Sequence, residues 1–146
     1  MPTFSVERTV PLPAEEAWRR LTDWPRHAGA VPLTRIRVLT PGPTREGTRF
    51  VARSGVGPLV LDDIMEVTVW RPPADGACGL CRLEKRGRVI LGWAEIEVLA
   101  APGDRSRVVW REELRVRFLP SAVDPALESA SRRLFGRAAD HLLERP

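Results

Sequence analysis

The chain has 146 residues, a formal net charge of +4 and a pI near 10.3. Its 43% hydrophobic and 29% charged residues are those of a soluble globular protein. No apolar run approaches the ~20 residues of a membrane span, and the opening MPTFSVERTV lacks a basic region followed by an apolar one, so a cytoplasmic protein is expected. This length predicts one domain over residues 1–146, with room for one core.

The basic pI does not point to nucleic acid. Lys85 is the single lysine among 23 basic residues, a bias that reads as a GC-rich genome and not as a binding surface. Acids are interleaved with the arginines, as in REGTR, LEKRGR and WREELR, so no basic tract stands out and no nucleic-acid partner is expected. Cys78 and Cys81 form one C-x-x-C. That is half of a zinc site, and His27 and His141, the only histidines, lie far off in sequence. The pair precedes a strand and does not open a helix, which argues against a redox role. Neither metal nor cofactor is expected.

In chain order, residues 3–10 (TFSVERTV) alternate Phe4, Val6 and Val10 against Ser5, Glu7 and Thr9, a strand ended by Pro11 and Pro13. Residues 14–22 read as a short helix with an apolar stripe of Ala14, Ala17, Trp18 and Leu21. Residues 23–33, broken by Pro25, Gly29 and Pro32, hold at most one further helical turn. Strands follow at 35–40, 48–54, 59–70, 80–86, 89–99 and 107–118, separated by short turns rich in Gly, Pro and Asp, so consecutive strands pair as antiparallel neighbours.

The last stretch, DPALESASRRLFGRAADHLLER, is the longest helical pattern. Asp124 is placed to cap it, with Pro125 at the first helical position. Leu127, Ser131, Leu134, Ala138 and Leu142 share a stripe with Ala130, Phe135 and His141 at its edges. The middle of the stripe is small. Ala130, Ser131 and Ala138 are read as the roof of a pocket, with Leu134 and Leu142 as anchors.

The order is strand, two short helices, six strands, long helix. It predicts an α+β fold in which a curved antiparallel sheet of about seven strands wraps on the C-terminal helix. Three stretches carry a family resemblance: SVERTVPLPAEEAWRRLTDWPRH at the start, VTVWRPP at 67–73, and GWAEIEVLAAPGDRSRVVWREEL at 92–114, followed by the closing helix. Together they resemble the START/polyketide cyclase superfamily (SRPBCC), with its helix-grip fold. The resemblance covers essentially the whole chain. It implies a cavity between sheet and helix that takes up an apolar or aromatic small molecule.

Alternation assigns the inner faces. In the last strand Val108, Trp110, Glu112, Leu114 and Val116 face in. In the strand at 59–70 the inner set is Leu61, Asp63, Met65, Val67 and Val69, and in that at 89–99 it is Ile90, Gly92, Ala94, Ile96 and Val98. For the strand at 48–54 the pattern does not choose between Phe50, Ala52 and Ser54 on one side and Val51 and Arg53 on the other. The candidate ligand-binding residues are therefore Phe50, Met65, Val67, Gly92, Ala94, Trp110, Leu114, Leu127, Ser131, Leu134 and Ala138. Gly92 is read as leaving room.

Glu112, Asp63 and His141 are the candidate catalytic groups, and His27 is a candidate for the cavity mouth. The carboxylates have a second reading, in which they reach water near strand ends or pair with an Arg. A carboxylate alone in an apolar pocket would be costly. A pocket of roughly 300 Å³ left empty would cost about 7 kcal/mol, comparable to the net stability of a domain.

Three functions stay open at this level: a binder of a lipid- or polyketide-like ligand, a polyketide cyclase, aromatase or dehydratase, and an interaction module. A monomer or homodimer is expected. The absence of Tyr and the scarcity of inward polar residues set the chain apart from an aromatic-polyketide cyclase.

Overall fold

The computed structural model describes residues 3–144. Its seven strands are β1 (Thr3–Val10), β2 (Thr34–Val38), β3 (Arg49–Val56), β4 (Leu59–Arg71), β5 (Gly79–Lys85), β6 (Ile90–Ala101) and β7 (Arg105–Val116). They form one antiparallel sheet in the order β1-β7-β6-β5-β4-β3-β2. The chain lays β2 to β7 side by side in sequence order, and β1 closes the far edge against β7. The helices are α1 (Ala14–Leu21), α2 (His27–Ala30) and α3 (Asp124–Glu144), with 3-10 turns at Trp24–Arg26 and Ser121–Val123. This is the expected α+β helix-grip arrangement.

Period-2 patterning sets the two faces of the sheet. Along β7, Val108, Trp110 and Glu112 are buried on the inner side. The outer face carries rungs of opposite charge. Arg111 meets Glu97 at 3.2 Å, Arg49 meets Glu66 at 2.7 Å, Arg53 meets Asp62 at 2.8 Å, and Arg82 bonds both Glu84 and Glu95. Cross-strand pairs of this kind contribute only a few tenths of a kcal/mol each, up to about 1. They explain why arginines and acids alternate along the sequence.

Two readings change. The inner set assigned to β4 ends at Val67, because the register with β5 shifts between Val67 and Val69. Thr68 is the extra residue. Val69 then pairs with Arg82 on the outer side, and Trp70 pairs with buried Cys81 and packs on Trp18 of α1 at 5.1 Å. The bulge thus serves the docking of α1. Also, Asp124 has helical dihedrals (φ −53°, ψ −45°), so α3 begins one residue before an Asp124 cap would place it.

The core fills one half of the space between sheet and helices. There Phe4, Val6, Ala17, Leu21, Val98, Val108 and Leu142 are almost fully buried. Arg20 of α1 is buried too, and its Nη1 donates to the Leu143 carbonyl at 2.7 Å, satisfying one of the free carbonyls at the end of α3. Arg8 of β1 pairs with Asp140 at 2.7 Å. The C-terminal half of α3 is therefore tied to α1 and β1.

Gly92 has φ +128°, and a Cβ there would lie 1.9 Å from the Glu113 carbonyl oxygen of β7. Its glycine is required by the backbone and not by space for a ligand. Gly92→Ala should lower the unfolding free energy by about 3 kcal/mol, the upper end for a strained backbone position, read as a fall in the urea midpoint. An unchanged midpoint would contradict this role.

Candidate functional site

The other half of the space beneath α3 is a cavity of about 310 Å³. Strands β2 to β7 supply its floor, the segment Trp24–Val31 one wall, and the N-terminal half of α3 its roof. Aromatic rings line the wall. Trp24 lies 4.6 Å from Phe50, His27 sits between Trp24 and Trp110 at 5.5 and 5.9 Å, and Phe135 lies 5.4 Å from Trp110. The remaining surface is mainly aliphatic, from residues such as Ile36, Met65, Leu83, Ile90 and Leu114.

The charge in this cavity centres on Lys85. Along β5, burial alternates strictly, which puts Lys85 on the inner face with Cys81 and Leu83. Its Nζ donates to Asp63 Oδ2 of β4 at 2.6 Å and lies 3.4 Å from Glu112 Oε2 of β7. The Met65 sulfur is at 3.9 Å. Between Lys85 and Glu112, β6 carries only the methyl of Ala94 at the level of Glu112. The side chains of Lys85 and Glu112 are 1% and 4% exposed, and that of Asp63 14%, so this cluster is enclosed by protein. Trp110 Nε1 donates to Glu112 Oε1 at 3.3 Å.

Burial works against the Lys85 ammonium, but Glu112 and Asp63 outweigh it and hold its pKa above the ordinary value. Burial pushes both carboxyls above the usual carboxylate range. Lys85 opposes this for each, and for Glu112 the neighbouring Asp63 adds to the rise. One ammonium faces two carboxyls, so the cluster keeps its cation and takes up a further proton more readily than free carboxyls would. His27 is held neutral: burial lowers its pKa, and its Nε2–H donates to the Leu21 carbonyl at 2.8 Å.

Of the sequence candidates, Phe50, Met65, Ala94, Trp110, Leu114, Leu127, Ser131, Leu134, Asp63 and Glu112 lie together on this cavity, and so does His27. Four do not. Val67 is sealed in the core below it, and Gly92 serves the β6–β7 backbone. Ala138 is fully buried in the packed half of α3. His141 points toward α2, with its Nε2 3.9 Å from where a Gly29 Cβ would sit. The undecided face of β3 resolves with Phe50, Ala52 and Ser54 inward and Arg53 outward on Asp62.

Sequence reasoning missed Lys85 as a site residue, although two signals were present. It is the single lysine of an arginine-rich chain, and strand alternation puts it beside Leu83. Cys78 is exposed, whereas Cys81 is buried in the core with its thiol pushed up to about 12 by burial. Among the described residues no group of His, Cys, Asp and Glu is placed to hold a metal. No described helix is long and apolar enough to cross a membrane.

The cluster makes a pH-dependent prediction. Lys85→Met leaves two carboxyls buried with no cation, and their pKa values rise further. The folded state then binds protons that the unfolded chain releases at neutral pH, so stability increases as pH falls. At pH 8 the variant should be less stable than the parent by about 3–5 kcal/mol, a gap that narrows toward pH 5 in urea titrations. A gap independent of pH would contradict the cluster.

No protein of curated function matches the chain by sequence. Solved structures match its fold. A protein of Thermus thermophilus superposes with a TM-score of 0.77 at 15% identity, covering 98% of this chain and 95% of the other. A START superfamily protein of Mycobacterium smegmatis gives 0.74 at 12% identity, with 97% of each chain covered. The ZhuI aromatase/cyclase of Streptomyces sp. R1128 gives 0.69 at 16%, covering 97% and 92%. At these identities the likeness concerns the fold alone. The family model described as polyketide cyclase/dehydrase and lipid transport matches residues 1–145, and the chain belongs to that family.

Proposed function

We propose that this protein binds an apolar or aromatic small molecule in the cavity beneath α3, with its polar end at the Lys85–Asp63–Glu112 cluster. The observation that carries this reading is the cavity itself, about 310 Å³ with aromatic and aliphatic walls and one charged cluster. Such a distribution suits a ligand site, where apolar surface supplies affinity and a few polar groups fix orientation. The family's description, with its mention of lipid transport, supports the same reading.

A second reading is favoured by one specific feature. Glu112 is a buried carboxyl with a raised pKa, beside a lysine and facing a largely apolar cavity. A group of this kind can give or take a proton next to a substrate carbonyl. In an enzyme of the cyclase or dehydratase type, Glu112 would carry the proton and Lys85 and Asp63 would hold it in place. The fold shared with an aromatase/cyclase makes poly-β-keto thioesters the substrates to try. Turnover by the parent protein that Glu112→Gln abolishes would establish this reading, and no turnover of such thioesters by the parent would remove it.

The binding reading is tested with N-phenyl-1-naphthylamine, a neutral aromatic probe that fluoresces in apolar surroundings. Ser131→Phe puts a ring into the cavity from the roof and should weaken probe binding by about tenfold or more, equivalent to about 1.4 kcal/mol, with little change in Tm. Ala138→Phe overfills a packed seam and should instead cost about 1–3 kcal/mol of stability. Equal probe binding by the parent and Ser131→Phe would overturn the reading.

A further inference from the structure

The hydrogen-bonding inventory of the cavity is lopsided. Its nitrogen donors are already engaged within the protein. Trp24 Nε1 donates to Thr44 Oγ1 at 3.1 Å, His27 Nε2 to the Leu21 carbonyl at 2.8 Å, and Trp110 Nε1 to Glu112. The Lys85 ammonium donates to Asp63 Oδ2 and to the Met65 sulfur, and its charge lies 3.4 Å from Glu112 Oε2. The Ser54 and Thr34 hydroxyls pair with each other at 2.8 Å, and Thr34 donates on to the Pro32 carbonyl, which leaves the Ser131 hydroxyl of the roof, a group that both donates and accepts.

Acceptors, by contrast, are left over. Asp63 Oδ1 and Glu112 Oε2 are buried and accept no hydrogen bond from the described residues. Glu112 Oε2 has Lys85 within ion-pair range, but not in hydrogen-bonding geometry. Both residues line the cavity. Buried oxygens of this kind are costly without a donor, and with both carboxylates ionised the cluster carries one net negative charge. A ligand carboxylate would bring a third acid to a single lysine and no proton to either oxygen.

Resting on the reading of this cavity as a ligand site, we infer that its ligand carries a hydrogen-bond donor, a hydroxyl or a protonated amine, at the end that reaches Asp63 and Glu112, and that carboxylates are turned away. The ligand class is thus an apolar or aromatic alcohol, phenol or amine, and not a fatty or aromatic acid. Asp63 and Glu112 are the specificity-determining residues, and Lys85 positions them.

The test uses four matched probes competing with N-phenyl-1-naphthylamine on the intact chain at pH 7.5: 2-methylnaphthalene, 2-naphthylmethanol, 2-naphthylmethylamine and 2-naphthoate. The alcohol and the amine should displace the dye at concentrations at least about tenfold below those needed for 2-naphthoate, with the hydrocarbon in between. Glu112→Gln should narrow the gap between amine and acid by about tenfold, and the ranking on the parent decides the matter if that variant does not fold. Binding of 2-naphthoate as tight as that of the alcohol would overturn the inference, as would dye binding that none of the polar probes reverses; both leave the apolar-binding reading in place. Failure of the dye and all four probes to bind would sink both.

Discussion

Lys85 brings a positive charge to the inner face of a sheet whose other inward residues are largely apolar, and Asp63 and Glu112 reach it from β4 and β7. Taking even one ion out of water costs several kcal/mol, and a buried pair recovers this only with good geometry and further hydrogen bonds. Here the contact to Asp63 is good, at 2.6 Å, but one oxygen of each carboxylate, Asp63 Oδ1 and Glu112 Oε2, lacks a donor. A plain hydrophobic filling of the same volume would have been at least as stable. The cluster is therefore poorly explained by stability and well explained by a polar group that enters the cavity.

The closing helix divides its work along its length. Toward its C-terminus, Ala138, Ala139, Leu142 and Leu143 are packed tight, and Arg20 and Arg8 bond this half to α1 and β1. Toward its N-terminus, Leu127, Ala130, Ser131 and Leu134 stand over open volume. The same small-residue stripe thus does two things, close approach at one end and space at the other. What differs is the surface below: α1 and β1 beneath the C-terminal half, and the inner face of β2 to β7 beneath the rest. A firmly anchored half lets the other half span a cavity without collapsing into it.

Much of this was legible in the chain. Alternation in β7 placed Trp110, Glu112 and Leu114 on one face, and the element order with its short polar turns led to the sheet and its single covering helix. The failures have physical causes. Thr68 adds one residue to β4, and a bulge leaves no mark in composition, so alternation puts Val69 inward whereas it is Trp70 that turns in to meet Trp18. Gly92 looked like space, but its conformation is set by the β7 backbone. Ala138 and His141 share the helical stripe with Ser131, and nothing local tells which part of a stripe meets a cavity. Lys85 was visible as an oddity of composition, and its role emerged only when three separate strands brought it to two carboxylates.

Native mass spectrometry of the protein, purified gently from its own host, tests the central claim most directly. The account predicts a population heavier than the chain by one small molecule, which collisional activation releases as a neutral or cationic species. A bare chain mass that also fails to take up added N-phenyl-1-naphthylamine would contradict it.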